Sequence, residues 1–280
     1  MKNRTITAII TIAACRAISF PAQADPWIPP KGSGVTKPVI RFYRAARLFP
    51  ITRFGTTTAP TNSVEHEAQL RITGDHGLGN DWALEYDLRA QRETKRKTYR
   101  HGATTYQASG LGDQEIGLVH GLHQGRLFAD SVAINAVLAT GSTTSNPQLG
   151  VGHNAIEPDY EFGFTHRFGR HFTYGSFAVG PRIFANSGII EWRVAGEIGA
   201  QVMRRLYVFT TMFASRTFGS GASNPKAPNA SEYYNIARLG LGIQYKLTRS
   251  FRPLLQYEKD VAGQNIHAGR RWVLGFSWDY

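Results

Sequence analysis

The 280-residue chain carries 32 lysines and arginines against 20 aspartates and glutamates, a formal net charge of +12, with 12% aromatic residues and a single cysteine. One cysteine, Cys15, excludes a disulfide framework and a cysteine metal cluster. No apolar run approaches the roughly 20 residues that a transmembrane helix needs.

Met1-Lys2-Asn3-Arg4 reads as a basic n-region, Thr5 to Ala14 as an apolar h-region and Ala22-Gln23-Ala24 as an A-x-A cleavage site. Residues 1–24 are therefore expected to be a signal peptide and Asp25 the mature N-terminus. Arg16 interrupts the apolar run, and Ile12-Ala13-Ala14-Cys15 leaves open a lipobox with Cys15 as the lipidated residue. Residues 25–36, which include Trp27, are either a periplasmic segment or a plug in the lumen of a barrel formed by residues 37–280. Without Lys2, Arg4 and Arg16 the charge is +9. Export from the cytoplasm excludes nucleic acid as the partner of that charge.

From residue 37 to 280 alternating segments recur about every 20 residues, joined alternately by short and long connections. Short ones are read at 76–81, 123–126, 169–170, 204–205 and 248–250. Longer ones are read near 50–63, 94–109, 141–155, 219–231 and 263–268, with a tighter one near Asn186. This asymmetry predicts an all-β fold, a transmembrane up-and-down antiparallel β-barrel of about twelve strands with short periplasmic turns and longer external loops. The alternation is plain where Trp82, Leu84, Tyr86 and Leu88 oppose Glu85, Asp87 and Arg89. It recurs where Ile156, Pro158, Tyr160, Phe162 and Phe164 oppose Glu157, Asp159 and Glu161, and where Ile190, Trp192 and Val194 oppose Glu191, Arg193 and Glu197. Lipid outside and water inside suit both faces. The segment from Phe172 to Ile183 breaks phase, which predicts a β-bulge there.

The chain ends on Trp272, Leu274, Phe276, Trp278 and Tyr280, all on one face of a strand with no polar tail beyond them. Such an ending is similar to the C-terminal signal by which the barrel-assembly machinery recognises outer-membrane proteins. Trp272, Phe276, Trp278 and Tyr280 are accordingly expected to carry assembly.

Three glycine-rich stretches point to a family. Gly110-Leu111-Gly112-Asp113-Gln114-Glu115-Ile116-Gly117-Leu118, then Leu138-Ala139-Thr140-Gly141-Ser142, then Leu149-Gly150-Val151-Gly152 resemble the outer-membrane transporter-like family named for the MetA pathway of phenol degradation. Its members share a G-L-G-D strand start, a P-T-G-type strand end and an L-G-x-G loop. Ala139 stands where that family has proline, and the strand after Gly117 lacks its Lys-Tyr pair. The resemblance implies a porin-like outer-membrane transporter of a Gram-negative bacterium. It transfers no catalytic or binding residue.

The candidate site is the lumen. Its predicted lining comprises Glu85, Asp87, Asp113, Glu115, Glu157, Asp159, Glu161, Glu191, Arg193, Glu197, Arg238 and Glu258, an acidic interior in a basic protein. Such a density of charge demands water or mutual pairing, and Arg193 and Arg238 are placed to bridge neighbouring carboxylates. Lys95, Arg96, Lys97 and Arg100 fall in a predicted external loop, where the phosphates of lipopolysaccharide are the nearest anions. His120 and His166 lie on lipid-facing phases with no serine motif beside them, and no metal-ligand spacing or cofactor motif is present. The expected function is a channel for small solutes, aromatic or hydrophobic ones among them. A structural or adhesive barrel with a sealed lumen, and a barrel-embedded lipid hydrolase, are the alternatives.

Overall fold

The computed structural model describes residues 26–150, 152–169, 171–185, 187–218 and 234–280; the predicted signal peptide and the predicted 219–231 loop lie outside these. Every regular element among the described residues is a strand: β1 (Gly34–Leu48), β2 (Ala59–Gly79), β3 (Trp82–Tyr99), β4 (Gly102–Leu111), β5 (Gln114–Gln124), β6 (Phe128–Leu138), β7 (Ala155–Phe168), β8 (His171–Phe184), β9 (Ile190–Met203), β10 (Leu206–Phe218), β11 (Asn235–Tyr245), β12 (Phe251–Gln264) and β13 (His267–Asp279). β1 pairs with both β2 and β13, all antiparallel, so the sheet closes on itself. β4 and β5 both pair with β3, Leu111 lying opposite Ala90 and Glu115 opposite Asp87. They are one wall strand interrupted at Gly112-Asp113, and the barrel has twelve staves.

The interruption is bridged by a side chain. Gln114 accepts from the Arg89 amide at 2.9 Å and donates to the Arg89 carbonyl at 2.8 Å, replacing the backbone ladder where it is broken. At the short-turn end, Asn80 and Asp81 adopt φ of 53° and 59°, the paired left-handed conformation of a two-residue hairpin whose twist matches its strands. Two predicted long loops are corrected. Residues 94–109 are mostly a β3–β4 hairpin whose turn is Arg100-His101, and 263–268 contracts to a tight turn at Asn265, where φ is 54°.

Outward faces carry an apolar belt. Ile134 on β6 and Leu241 on β11, far apart around the wall, are 63% and 62% exposed. Water would penalise a belt of this kind all round the molecule, whereas hydrocarbon covers it, and closure leaves no strand edge to satisfy. The fold is that of a barrel set in the outer membrane. Aromatic pairs such as Tyr257–Trp272 and Phe251–Phe276, with ring centroids 4.9 Å apart in each, lie along the belt.

The bulge expected between Phe172 and Ile183 is absent. β7 and β8 keep one register from Phe168 opposite His171 to Ala155 opposite Phe184. The sequence misleads because aromatic residues lie on both faces: Phe177 looks outward, while Tyr174 and Phe184 are buried inside the barrel. Register shifts occur instead between Gly77 and Gly79, Gly121 and His123, Ala45 and Arg47, Leu206 and Tyr207, and Ala237 and Arg238, near strand ends.

Candidate functional site

Alternation puts most of the charged residues of the strands on the inner wall, where they join into a belt. Asp87 of β3 accepts from Nε and Nη2 of Arg71 on β2, at 2.8 and 2.5 Å, and also pairs with Arg89. Arg89 continues to Glu115 on β5 at 2.8 Å, and Glu115 accepts from Arg182 on β8 at 2.7 Å. Arg182 and Arg193 of β9 both pair with Glu157 on β7. On the other side, Glu258 of β12 lies 3.2 Å from Arg41 on β1 and 3.3 Å from Arg271 on β13, while Arg238 of β11 donates to Asp260 at 2.8 Å. Phe213 of β10 joins the two arcs: the guanidinium carbons of Arg193 and Arg238 lie 5.5 and 5.7 Å from its ring centre, within cation–π range.

Two adjoining cavities of about 110 Å³ each flank this belt, room for a few waters apiece. Their shared lining is Lys37, Arg71 and Thr73 on one wall and Ala195 and Phe213 on the opposite one. The first chamber is acidic: Asp75, Glu85, Asp87, Glu115, Glu157, Asp159 and Glu161 face it with Lys37, Arg71 and Arg193. The second is basic, with Lys37, Arg41, Arg71 and Arg238 against Glu197 and Glu258. Glu161 in the first accepts from Ser131 at 2.8 Å, and Glu197 in the second accepts from the Tyr174 hydroxyl at 2.5 Å. The lumen is thus divided by sign, which the sequence did not disclose, because the division depends on which strands face each other across it.

Two predicted lining residues lie outside the two chambers. Glu191 is buried on the inward phase of β9. Asp113 holds the β6–β7 loop, accepting from the Gly141 amide at 3.2 Å. The same point gathers the three glycine motifs. Thr140 donates to the Gly112 carbonyl at 2.6 Å, the Leu149 carbonyl accepts from Gln91 at 2.9 Å, and the Leu149 amide donates to Ser142 at 2.7 Å. A Cβ on Gly141 would come within 2.6 Å of the Gly150 Cα, and one on Gly150 within 2.4 Å of Asp113. Both glycines are needed for the loop to pack there, beside the lumen-facing Gln91.

At the periplasmic mouth lies a segment the sequence left open. Residues 26–33 cross it as a strap: the Trp27 indole donates to the Gly125 carbonyl at 3.0 Å, Gln124 donates to the Pro26 carbonyl at 2.7 Å, and Gly32 and Ser33 exchange backbone hydrogen bonds with Gly77 at 2.9 Å. Trp27 and Phe172 pack on a buried cluster of Tyr174, Tyr207 and Phe209. Ile28 packs on Ala83, Val119 and Ala133. These inward aromatics form the floor of the lumen.

The predicted basic loop is corrected in part. Lys95 is in β3, buried and paired with Glu65 inside the barrel, and Lys97 lies 5.9 Å from the Tyr106 ring; Arg96 and Arg100 are exposed. His120 stacks on Trp82 at 4.5 Å and His166 lies against Phe168 at 4.3 Å. Trp272 and Trp278 look outward from β13 at 50% and 55% exposure, with Phe276 beside Phe251 between them. The Tyr280 backbone closes the seam by exchanging hydrogen bonds with Gly34 at 3.1 Å in both directions.

No family model matches the sequence, and no curated protein matches it either. Among solved structures, the chain is similar to an outer membrane channel from Pseudomonas putida F1, at 12% identity over 94% of this chain and 100% of that one, with a TM-score of 0.59. The KdgM porin (9% identity, 86% and 99% covered, TM-score 0.43) and the NanC porin (8% identity, 86% and 98% covered, TM-score 0.47) are more distant. The chain is an outer-membrane β-barrel with the fold of an outer-membrane channel.

Proposed function

We propose that this barrel is a channel for small solutes, aromatic and hydrophobic ones among them. The observation that carries the reading is the pair of adjoining chambers of opposite sign. Carboxylates on one wall and guanidinium groups on the other set a field across the lumen, and a solute with separated charges lowers its energy by aligning with it. Below the belt, the Tyr174–Tyr207–Phe209 floor offers aromatic faces to an organic solute. The convergence of the Gly110–Asp113, Gly141 and Leu149–Gly150 motifs on one loop anchor supports kinship with the MetA-pathway transporter-like family. The strap at residues 26–33 acts as a periplasmic gate, since Trp27 must leave the floor for a solute to pass.

The test is single-channel recording of the refolded protein in a planar bilayer. A small conductance with cation preference is expected, enlarged by Trp27→Ala. A sealed structural barrel is the second reading, favoured by the same strap and by the ion pairs of the belt. Silence in both the parent and the Trp27→Ala protein would establish it.

A further inference from the structure

The outer wall carries a strip of positive charge that the lumen does not explain. Lys259 of β12 lies directly opposite Arg270 of β13, and Arg270 directly opposite Arg44 of β1; Arg44 in turn faces His66 of β2. All four are exposed and on the outward phase, and Arg92 and Arg96 of β3 extend the strip. Like charges placed directly across a ladder destabilise it, and none of Lys259, Arg270 and Arg44 forms an ion pair with a carboxylate among the described residues. Every acidic residue of β2, β3, β12 and β13 faces the lumen, and the chain has no aspartate or glutamate between Pro26 and Val64. Among the described residues no carboxylate relieves the repulsion along this strip.

The height of the strip says what it faces. The next outward residues below it are Tyr257, Trp272 and Phe42, mutually paired across the same three strands. Arg270 and Tyr280 are ten residue steps apart, which at about 3.4 Å each and a tilt near 40° is roughly the 25 Å of an apolar belt. The strip therefore lies at the external headgroup level, one step above an aromatic girdle. The far wall has no such strip: Ile156, Ile183, Ile190 and Trp192 keep β7 to β9 apolar to their external ends, and the next outward cation, Arg216 of β10, stands singly over the Phe218 ring at 5.0 Å.

We infer that Lys259, Arg270 and Arg44, flanked by His66 and Arg92, bind the phosphates of lipid A in the outer leaflet, so that lipopolysaccharide docks on one side of the barrel. Guanidinium groups suit phosphate because they donate in a bidentate fork. The inference is independent of conduction through the lumen.

The experiment titrates detergent-folded protein with bisphosphorylated lipid A, dephosphorylated lipid A and phosphatidylglycerol. The parent should bind the bisphosphorylated form tightest, and the triple variant Lys259→Gln/Arg270→Gln/Arg44→Gln should lose affinity on the order of 100-fold with heat-modifiable migration retained. Equal affinity for dephosphorylated lipid A, equal affinity for phosphatidylglycerol, or an unchanged triple variant would each overturn it. If the triple variant fails to fold, the Lys259→Gln/Arg270→Gln pair and the parent's preference between the two lipid A forms decide the question.

Discussion

The two arcs of the charged belt are built on different plans. In the β2–β9 arc the partners alternate in a ladder, Arg71–Asp87–Arg89–Glu115–Arg182–Glu157–Arg193, in which each carboxylate holds two arginines. In the β11–β1 arc one carboxylate is shared between arginines, Glu258 lying within 4.0 Å of Arg41, Arg271 and Arg238. In the first arc every carboxylate has a second arginine, whereas in the second Asp260 depends on Arg238. Local bookkeeping along one strand therefore misses the electrostatics of the lumen.

Removing one arginine from each arc separates the two plans. Arg238→Met takes from Asp260, whose side chain is 1% exposed, its ion pair and leaves it the Gly269 amide at 3.0 Å, while Glu258 keeps Arg41 and Arg271. It should cost about 3–5 kcal/mol in denaturant unfolding, because a buried carboxylate loses its bridge. Arg182→Met removes one of two guanidinium partners from each of Glu115 and Glu157, which keep Arg89 and Arg193. Its cost should be about 1–2 kcal/mol. Equal losses would mean that the second partner confers no tolerance.

A control asks whether the arcs differ only on the inside. Ile134→Arg on the acidic side and Leu241→Arg on the basic side both place a cation in the lipid belt, and each should cost roughly 2–4 kcal/mol near the midplane. A large difference between them would show that one wall does not face hydrocarbon.

How far the sequence anticipates the molecule depends on the same division between local and distant. The strand and face assignments at Ile156–Phe164 and Trp82–Leu88 are legible because lipid and lumen impose a period of two that each strand carries alone. The β3–β4 hairpin is not, since Lys95 reads as a loop charge until β2 supplies Glu65 opposite it. Nor is the phase of β8 legible, because the inward Tyr174 and Phe184 are explained only by Trp27 and Ile189 packing from elsewhere in the chain. Alternation names the residues inside the barrel, while the closure of the sheet decides which of them meet.

The smallest expected effect tests the chambers themselves. Asp159→Asn with Glu161→Gln removes two carboxylates from the acidic lining and leaves the ladder of ion pairs intact, since Glu157 holds Arg182 and Arg193. Cation preference in reversal-potential measurements should fall in part, with conductance largely kept. Lowering the pH through the carboxylate range should act in the same direction, because protonation removes negative charge from this wall and leaves the guanidinium groups of the other charged. The double variant should then respond less to acid than the parent. A preference that survives both the substitutions and the acid would place the selectivity outside the acidic chamber, and the field across the lumen would lose its role in sorting solutes.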